Sequence, residues 1–125
     1  MVREGSDVTL VSAMRTLHEC LAAAETLAGE GIDCEVVDLR TLRPLDGATI
    51  LGSVAKTNRL VVVEEGPRTG GWAAEIVATA AEEGLGDIDD IRRLTTPDHP
   101  IPYSPPLEDA FLPGAEAIAA AVRAL

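Results

Sequence analysis

Aromatic side chains are almost missing from this sequence: its 125 residues contain one Trp, one Tyr and one Phe. Stacking on bases or rings cannot then dominate recognition, and a core must be built from Ala, Val, Leu and Ile. Positive charge is scarce too. Ten Lys and Arg face twenty-one Asp and Glu, a net charge of −11, and Lys56 is the single lysine. A surface of that sign repels phosphate backbones and anionic lipid, which argues against nucleic-acid and membrane partners. The two cysteines, Cys20 and Cys34, form neither a disulfide framework nor a zinc spacing, so the economical reading is a reduced, cytoplasmic chain. No run reaches the ~18 apolar residues that span a bilayer. Met1 to Asp7 are too polar for a signal peptide.

What is present is an ordinary globular balance, 46% hydrophobic and 25% charged, in a length that suits one domain. Residues 1–7 read as a hydrophilic linker remnant and 8–125 as the domain. The β-branched run 8–13 suits a buried strand. From Met14 to about Glu30 the period turns helical, with Met14, Leu17, Leu21, Ala24 and Ala28 on one stripe. A second strand is expected at 34–39. A helix capped by Asp46 should then run to about Lys56, and Asn58 can close it. The continuous apolar run 60–63 reads as a central parallel strand covered on both faces. An Ala-rich helix follows from about Trp72 to Glu83, and a short strand at 91–95. The proline-rich stretch 97–106 is expected to form neither helix nor central strand, and a last helix covers 114–125. Alternating strands and helices predict an α/β three-layer sandwich with a mostly parallel sheet of four to five strands.

Such sheets carry their sites at the carboxyl ends of strands. The first strand leads into Ser12-Ala13-Met14-Arg15, with no glycine-rich dinucleotide cradle. The turn 64–71, EEGPRTGG, puts glycines before a helix, but two adjacent glutamates oppose a bound anion there. The structural expectation is a tight turn with Arg68 paired to Glu64 or Glu65. His18 and Cys20, two apart on a helix, do not share a face. His99 has only neighbouring Asp98 to orient it as a base, and Ser12, Ser53 and Ser104 lack a nucleophile-elbow context. No self-contained active site, metal set or cofactor cradle emerges.

Three segments taken together are more specific: DLRTLRPLD (38–46), LVVVEEGPRTGG (60–71) and PDHPIPYSPPLEDAFLP (97–113). In this order they closely resemble the C-terminal domain of the β subunit of the heterotetrameric, thiamin-diphosphate-dependent 2-oxo acid dehydrogenases of the pyruvate, branched-chain and acetoin type. The resemblance covers Gly5 to Leu125. It implies a transketolase C-terminal-like fold. It also implies that thiamin diphosphate and magnesium belong to the full α2β2 enzyme, held by the α subunit and the N-terminal domain of the β subunit, with no catalytic residue in this chain.

The job implied instead is assembly and docking of the dihydrolipoamide acyltransferase core. A basic binding domain of that core would meet Glu82, Glu83, Asp87, Asp89 and Asp90 together with the carboxylate of Leu125. Arg92 and Arg93 lie close enough to offset part of that field. The aromatic residues Trp72, Tyr103 and Phe111, with His99, fall in loops and are expected to mark subunit contacts, including homo-oligomer contacts. Pro97–Pro113 should pack there as an extended segment. Two other readings stand beside this one. One is a stand-alone binding or regulatory module taking a small ligand at Gly66–Gly71. The other is the C-terminal domain of a different transketolase-like thiamin enzyme.

Overall fold

Alternation along the strands decides how the layers form. The computed structural model describes all residues, Met1–Leu125, and its sheet has four strands: β1 (Val8–Ser12), β2 (Cys34–Asp38), β3 (Arg59–Pro67) and β4 (Asp90–Thr96). All pair in parallel, in the order β2-β1-β3-β4. Side chains of successive residues point to opposite faces of a strand. Val8, Leu10, Cys34, Val36, Val61 and Val63 therefore join one core, against α1 (Met14–Ala28) and α5 (Ala115–Arg123). Val11, Val37, Leu60 and Val62 join the other, against α2 (Gly47–Thr57) and α3 (Ala73–Gly84). The three-layer α/β sandwich is as expected.

Local chemistry explains most boundaries. Asp46 caps α2 by accepting from the Thr49 N–H at 3.1 Å. Asn58 closes the helix in the left-handed region at φ 59°, a conformation asparagine tolerates better than most residues. A polar cluster fastens α2 to the sheet: Thr9 Oγ1 lies 2.7 Å from both Ser53 Oγ and Thr57 Oγ1. Beside it buried Glu35 accepts from Ser53 Oγ at 2.5 Å and pairs with Lys56. Burial opposes ionisation of Glu35, but the hydrogen bonds from Lys56, Ser53 and the Gly5 N–H outweigh it and hold its carboxyl below the usual range.

Four expectations need correction. The buried stripe of α1 is Thr16, Cys20, Ala23, Ala24 and Leu27. Met14 and Ala28 are exposed, because the helix rolls to set its smallest residues on the sheet while Leu17 and Leu21 flank that core. Strand β3 runs on to Pro67 through a register irregularity after Val63. The proline-rich segment is not extended throughout, since α4 occupies Pro105–Phe111. Pro105 and Pro106 sit in its first turn, where a missing N–H leaves no helical hydrogen bond unmade. Arg68 does not pair with either glutamate; its backbone N–H donates to the Thr96 carbonyl instead.

The lead segment lies against the outer edge of β2. Arg3 forms an antiparallel bridge with Val36. Gly5 passes so close that a Cβ there would lie 2.3 Å from the Cys34 carbonyl carbon, so only glycine fits.

Candidate interaction surfaces at the two sheet edges

The strand order reverses direction between β1 and β3, and their carboxyl ends are where an open α/β sheet ordinarily receives a ligand. Here two consecutive side chains fill that position. Glu64, 2% exposed, accepts from the Trp72 N–H at 2.9 Å and the Ala73 N–H at 2.8 Å, capping α3. Glu65 points to the other face and accepts from the Arg15 and Thr16 N–H groups at 2.8 and 3.2 Å, capping α1. Each carboxylate occupies the electropositive helix end that would otherwise attract an anion. The glycines of the turn make room for this: a Cβ on Gly66 would lie 2.4 Å from Glu64 Oε1, and one on Gly71 2.5 Å from Glu64 Oε2.

These residues do not fit a diphosphate, because both helix ends are taken by fixed negative charge. Nor do any three His, Cys, Asp or Glu side chains gather as a metal-ligand set. A cavity of about 430 Å³ opens beside β2, lined by Met1, Val2, Asp38, Leu39, Arg40, Thr41 and Asp46. Its one cationic side chain, Arg40, is already paired with Asp38 at 2.8 Å. Along the same edge Asp98 accepts from the Thr69 N–H and hydroxyl at 2.9 and 2.6 Å. Those bonds hold its carboxyl below the usual range and tie the loop after β4 to the loop after β3.

The aromatic residues divide. His99 and Phe111 are together, ring centroids 5.0 Å apart and tilted by 60°. Tyr103 stands fully exposed between them in sequence. Trp72 is separate, partly buried at the start of α3 and packed on the α2–α3 core. Of the two residues discounted as a metal pair, Cys20 is buried and His18 exposed.

The acidic residues gather at the opposite, amino-end edge. Glu82 and Glu83 end α3, Asp87 closes a short 3-10 turn at Leu85–Asp87, and Asp89 and Asp90 lead into β4. The first four of these acids are exposed and form no ion pair, whereas Asp90 binds Arg92 at 2.5 Å. Leu125 follows α5, on the other face of the sheet. Its side chain packs on the α1–α5 core, and Arg123 of the same helix is paired with Glu30 at 2.7 Å. The terminus and the acidic loop thus share an edge and belong to different layers. Sequence reasoning did not find the two capping roles. The signal was the Glu-Glu pair at the end of an apolar strand followed at fixed distance by glycines.

Residues 1–118 match the family described as transketolase, C-terminal domain. The chain belongs to that family. This transketolase C-terminal domain is 47% identical over 124 residues to the acetoin:2,6-dichlorophenolindophenol oxidoreductase subunit beta of Cupriavidus necator, covering 98% of this chain and 37% of that protein. It is 48% identical over 111 residues to the mitochondrial pyruvate dehydrogenase E1 component subunit beta of Dictyostelium discoideum, covering 88% of the chain and 31% of that protein. It spans roughly a third of the relatives it matches. Among solved structures it superposes on a split gene transketolase, described as an inactive beta4 tetramer, with TM-score 0.86 and 29% identity over 98% of this chain and 40% of that one. No helix of this transketolase C-terminal domain is long and apolar enough to cross a membrane.

Proposed function

We propose that this chain is the C-terminal structural and assembly domain of the β subunit of a decarboxylating 2-oxo acid dehydrogenase. In the whole α2β2 enzyme it completes contacts with the α subunit and with the N-terminal domain of the β subunit, and it docks the dihydrolipoamide acyltransferase core. The oxidative decarboxylation and the acyl transfer belong to that assembly, with thiamin diphosphate and magnesium held outside this chain. The family match and the identity with the β subunits of an acetoin oxidoreductase and a pyruvate dehydrogenase support the assignment. The two free, buried thiols favour a reducing compartment, in keeping with the cytoplasm.

The observation that carries the docking role is the unpaired acidic run at the amino-end edge. Glu82, Glu83, Asp87 and Asp89 are exposed without a cation, so they attract a basic partner out to the Debye length of ~8 Å at physiological salt. Exposed pairs each contribute only ~0–1 kcal/mol, so the effect belongs to the association rate. Replacing Asp87, Asp89 and Asp90 with Asn should slow association with the basic subunit-binding domain of the acyltransferase several-fold. Added salt should slow the parent protein similarly, and a C-terminal extension past Leu125 should weaken binding. Surface-plasmon kinetics at low and high salt measure this. An unchanged association rate in the triple variant removes the docking role.

The similarity to a split gene transketolase keeps a second reading in view, the C-terminal domain of another transketolase-like thiamin enzyme; the lower identity of 29% ranks it behind. A stand-alone module binding a ligand at Gly66–Gly71 is disfavoured by the Glu64 carboxylate filling that turn.

A further inference from the structure

Polar bonds alone hold the lead segment to the domain. None of Met1–Asp7 is buried, and none belongs to either core. Their backbone meets the outer edge of β2 instead. The Val2 N–H donates to the Val36 carbonyl at 2.9 Å, and the Val36 N–H donates to the Arg3 carbonyl at 2.8 Å. The Ser6 and Asp7 N–H groups donate to the Asp33 carbonyl at 3.1 and 2.9 Å. In return the Asp7 carboxylate accepts from the Asp33 N–H at 2.7 Å, and Arg3 pairs with Asp33 at 3.0 Å. A segment with no buried apolar side chain opens more readily than the core it lies on. It is a strap over a sheet edge.

The middle of the strap is tied to a buried charge. The Gly5 N–H donates to Glu35 Oε2 at 3.2 Å, and Glu35 is 1% exposed. On its other side the same carboxylate binds Ser53 and Lys56 of α2. Lys56 is its one ion-pair partner, with a side chain that is half exposed. Thr9, Ser53 and Thr57, the rest of the cluster, are buried and neutral. A buried carboxylate that loses its cation is strongly destabilised. Lifting Gly5 away would relieve that by admitting water to Oε2. Opening of the strap is thereby coupled to Lys56, whose one hydrogen bond is to Glu35.

We infer that Met1–Asp7 is a displaceable strap latched through Glu35, and that the charge of Lys56 decides whether it stays closed. With the ammonium in place, the carboxylate tolerates burial under Gly5. With that charge removed, the strap lifts and water solvates Glu35. Opening frees the N–H and carbonyl groups of Asp33 and Val36, the edge groups that the strap now pairs. Lys56 is the single lysine, so chemistry that neutralises lysine amines acts on this chain at the latch. The inference stands apart from the assembly reading and makes no use of the acidic edge.

Amide hydrogen exchange of the 125-residue chain, followed residue by residue by NMR, tests it. In the parent, the Ser6, Asp7, Asp33 and Val36 amides should exchange faster than those of Val61 and Val62 in the central strand. Lys56→Met should speed the first four about tenfold, while the Thr69 amide, held by Asp98, keeps its parent rate. Lys56→Arg keeps a cation and should stay close to the parent. In a Glu35→Gln background no buried charge is left to solvate, so Lys56→Met should then change the four amides less than about twofold. Strap amides that exchange at the Val61 and Val62 rate in the parent overturn the inference, and this holds whether or not any variant folds. Parent rates at the strap in Lys56→Met overturn it too. So does equal acceleration at Thr69, or the same acceleration in the Glu35→Gln background, since either means a loss of stability with no latch.

Discussion

Glu64 and Glu65, neighbours on β3, each cap a different helix on opposite faces of the sheet. Glu64 holds the first N–H groups of α3 and Glu65 those of α1. The relationship follows from strand geometry: even-numbered residues of β3 face α2 and α3, odd-numbered ones face α1 and α5. Two carboxylates that repel as neighbours are separated by the pleat and are each neutralised by a helix end.

Loss of the two caps should be unequal. Glu64→Ala strands two N–H groups in a buried turn and is expected to cost about 2 kcal/mol. Glu65→Ala faces a partly exposed helix end and should cost about 1 kcal/mol. Glu64→Gln, which keeps one acceptor oxygen, should recover part of the loss. Urea titration of the three variants checks the order.

Gly71 should depend on Glu64. A Cβ on Gly71 meets Glu64 Oε2 at 2.5 Å and the Pro67 carbonyl oxygen at 2.4 Å, so Gly71→Ala must displace the cap. The single substitution is expected to cost more than losing the cap, above about 2 kcal/mol, because the Pro67 carbonyl must shift as well. In a Glu64→Ala background it should cost clearly less, because part of the clash is gone. Additive losses in a double-mutant cycle would contradict this geometry.

Glu35 should shape the acid limb of stability. Its folded carboxyl is held below the ordinary 4.5, so it releases its proton more readily in the folded than in the unfolded chain. That stabilisation is complete above 4.5 and disappears as the pH falls through the lower folded value. Glu35→Gln should therefore be less stable at neutral pH and lose less on acidification than the parent. Urea midpoints across this range give the two slopes, and parallel slopes would remove Glu35 from the account.

The thiols should be silent until the chain unfolds. Burial pushes Cys20 up to about 12, against a hydrogen bond with Ser12, and pushes Cys34 up to about 11, against the charge of Arg3. Both should resist a thiol reagent in the native state and react fully in guanidinium. The sign at high pH follows: above the ordinary 9.0 the unfolded chain gives up protons that the folded chain keeps, so stability falls as pH rises. Thiol titration together with alkaline denaturation midpoints tests both statements.

The sequence by itself determined the elements whose signal is local. The run Leu60–Val63 could only be a strand buried on both faces, and Asp46 and Asn58 bracket α2 through their own side chains and backbone. The family was legible for the same reason, in three short segments. The start of α4 was concealed because proline disfavours a helix everywhere except the first turn, and only packing decides where a first turn falls. The roll of α1 was decided by which residues are small enough to meet the sheet, a property of two surfaces together. The Glu-Glu pair ahead of the glycines marked the place, but the roles of Glu64 and Glu65 were decided by the tertiary structure. Their partners lie eight and nine residues later for one and some fifty earlier for the other. A helix N-terminus becomes a binding partner only once the sheet has brought it beside the strand that ends there.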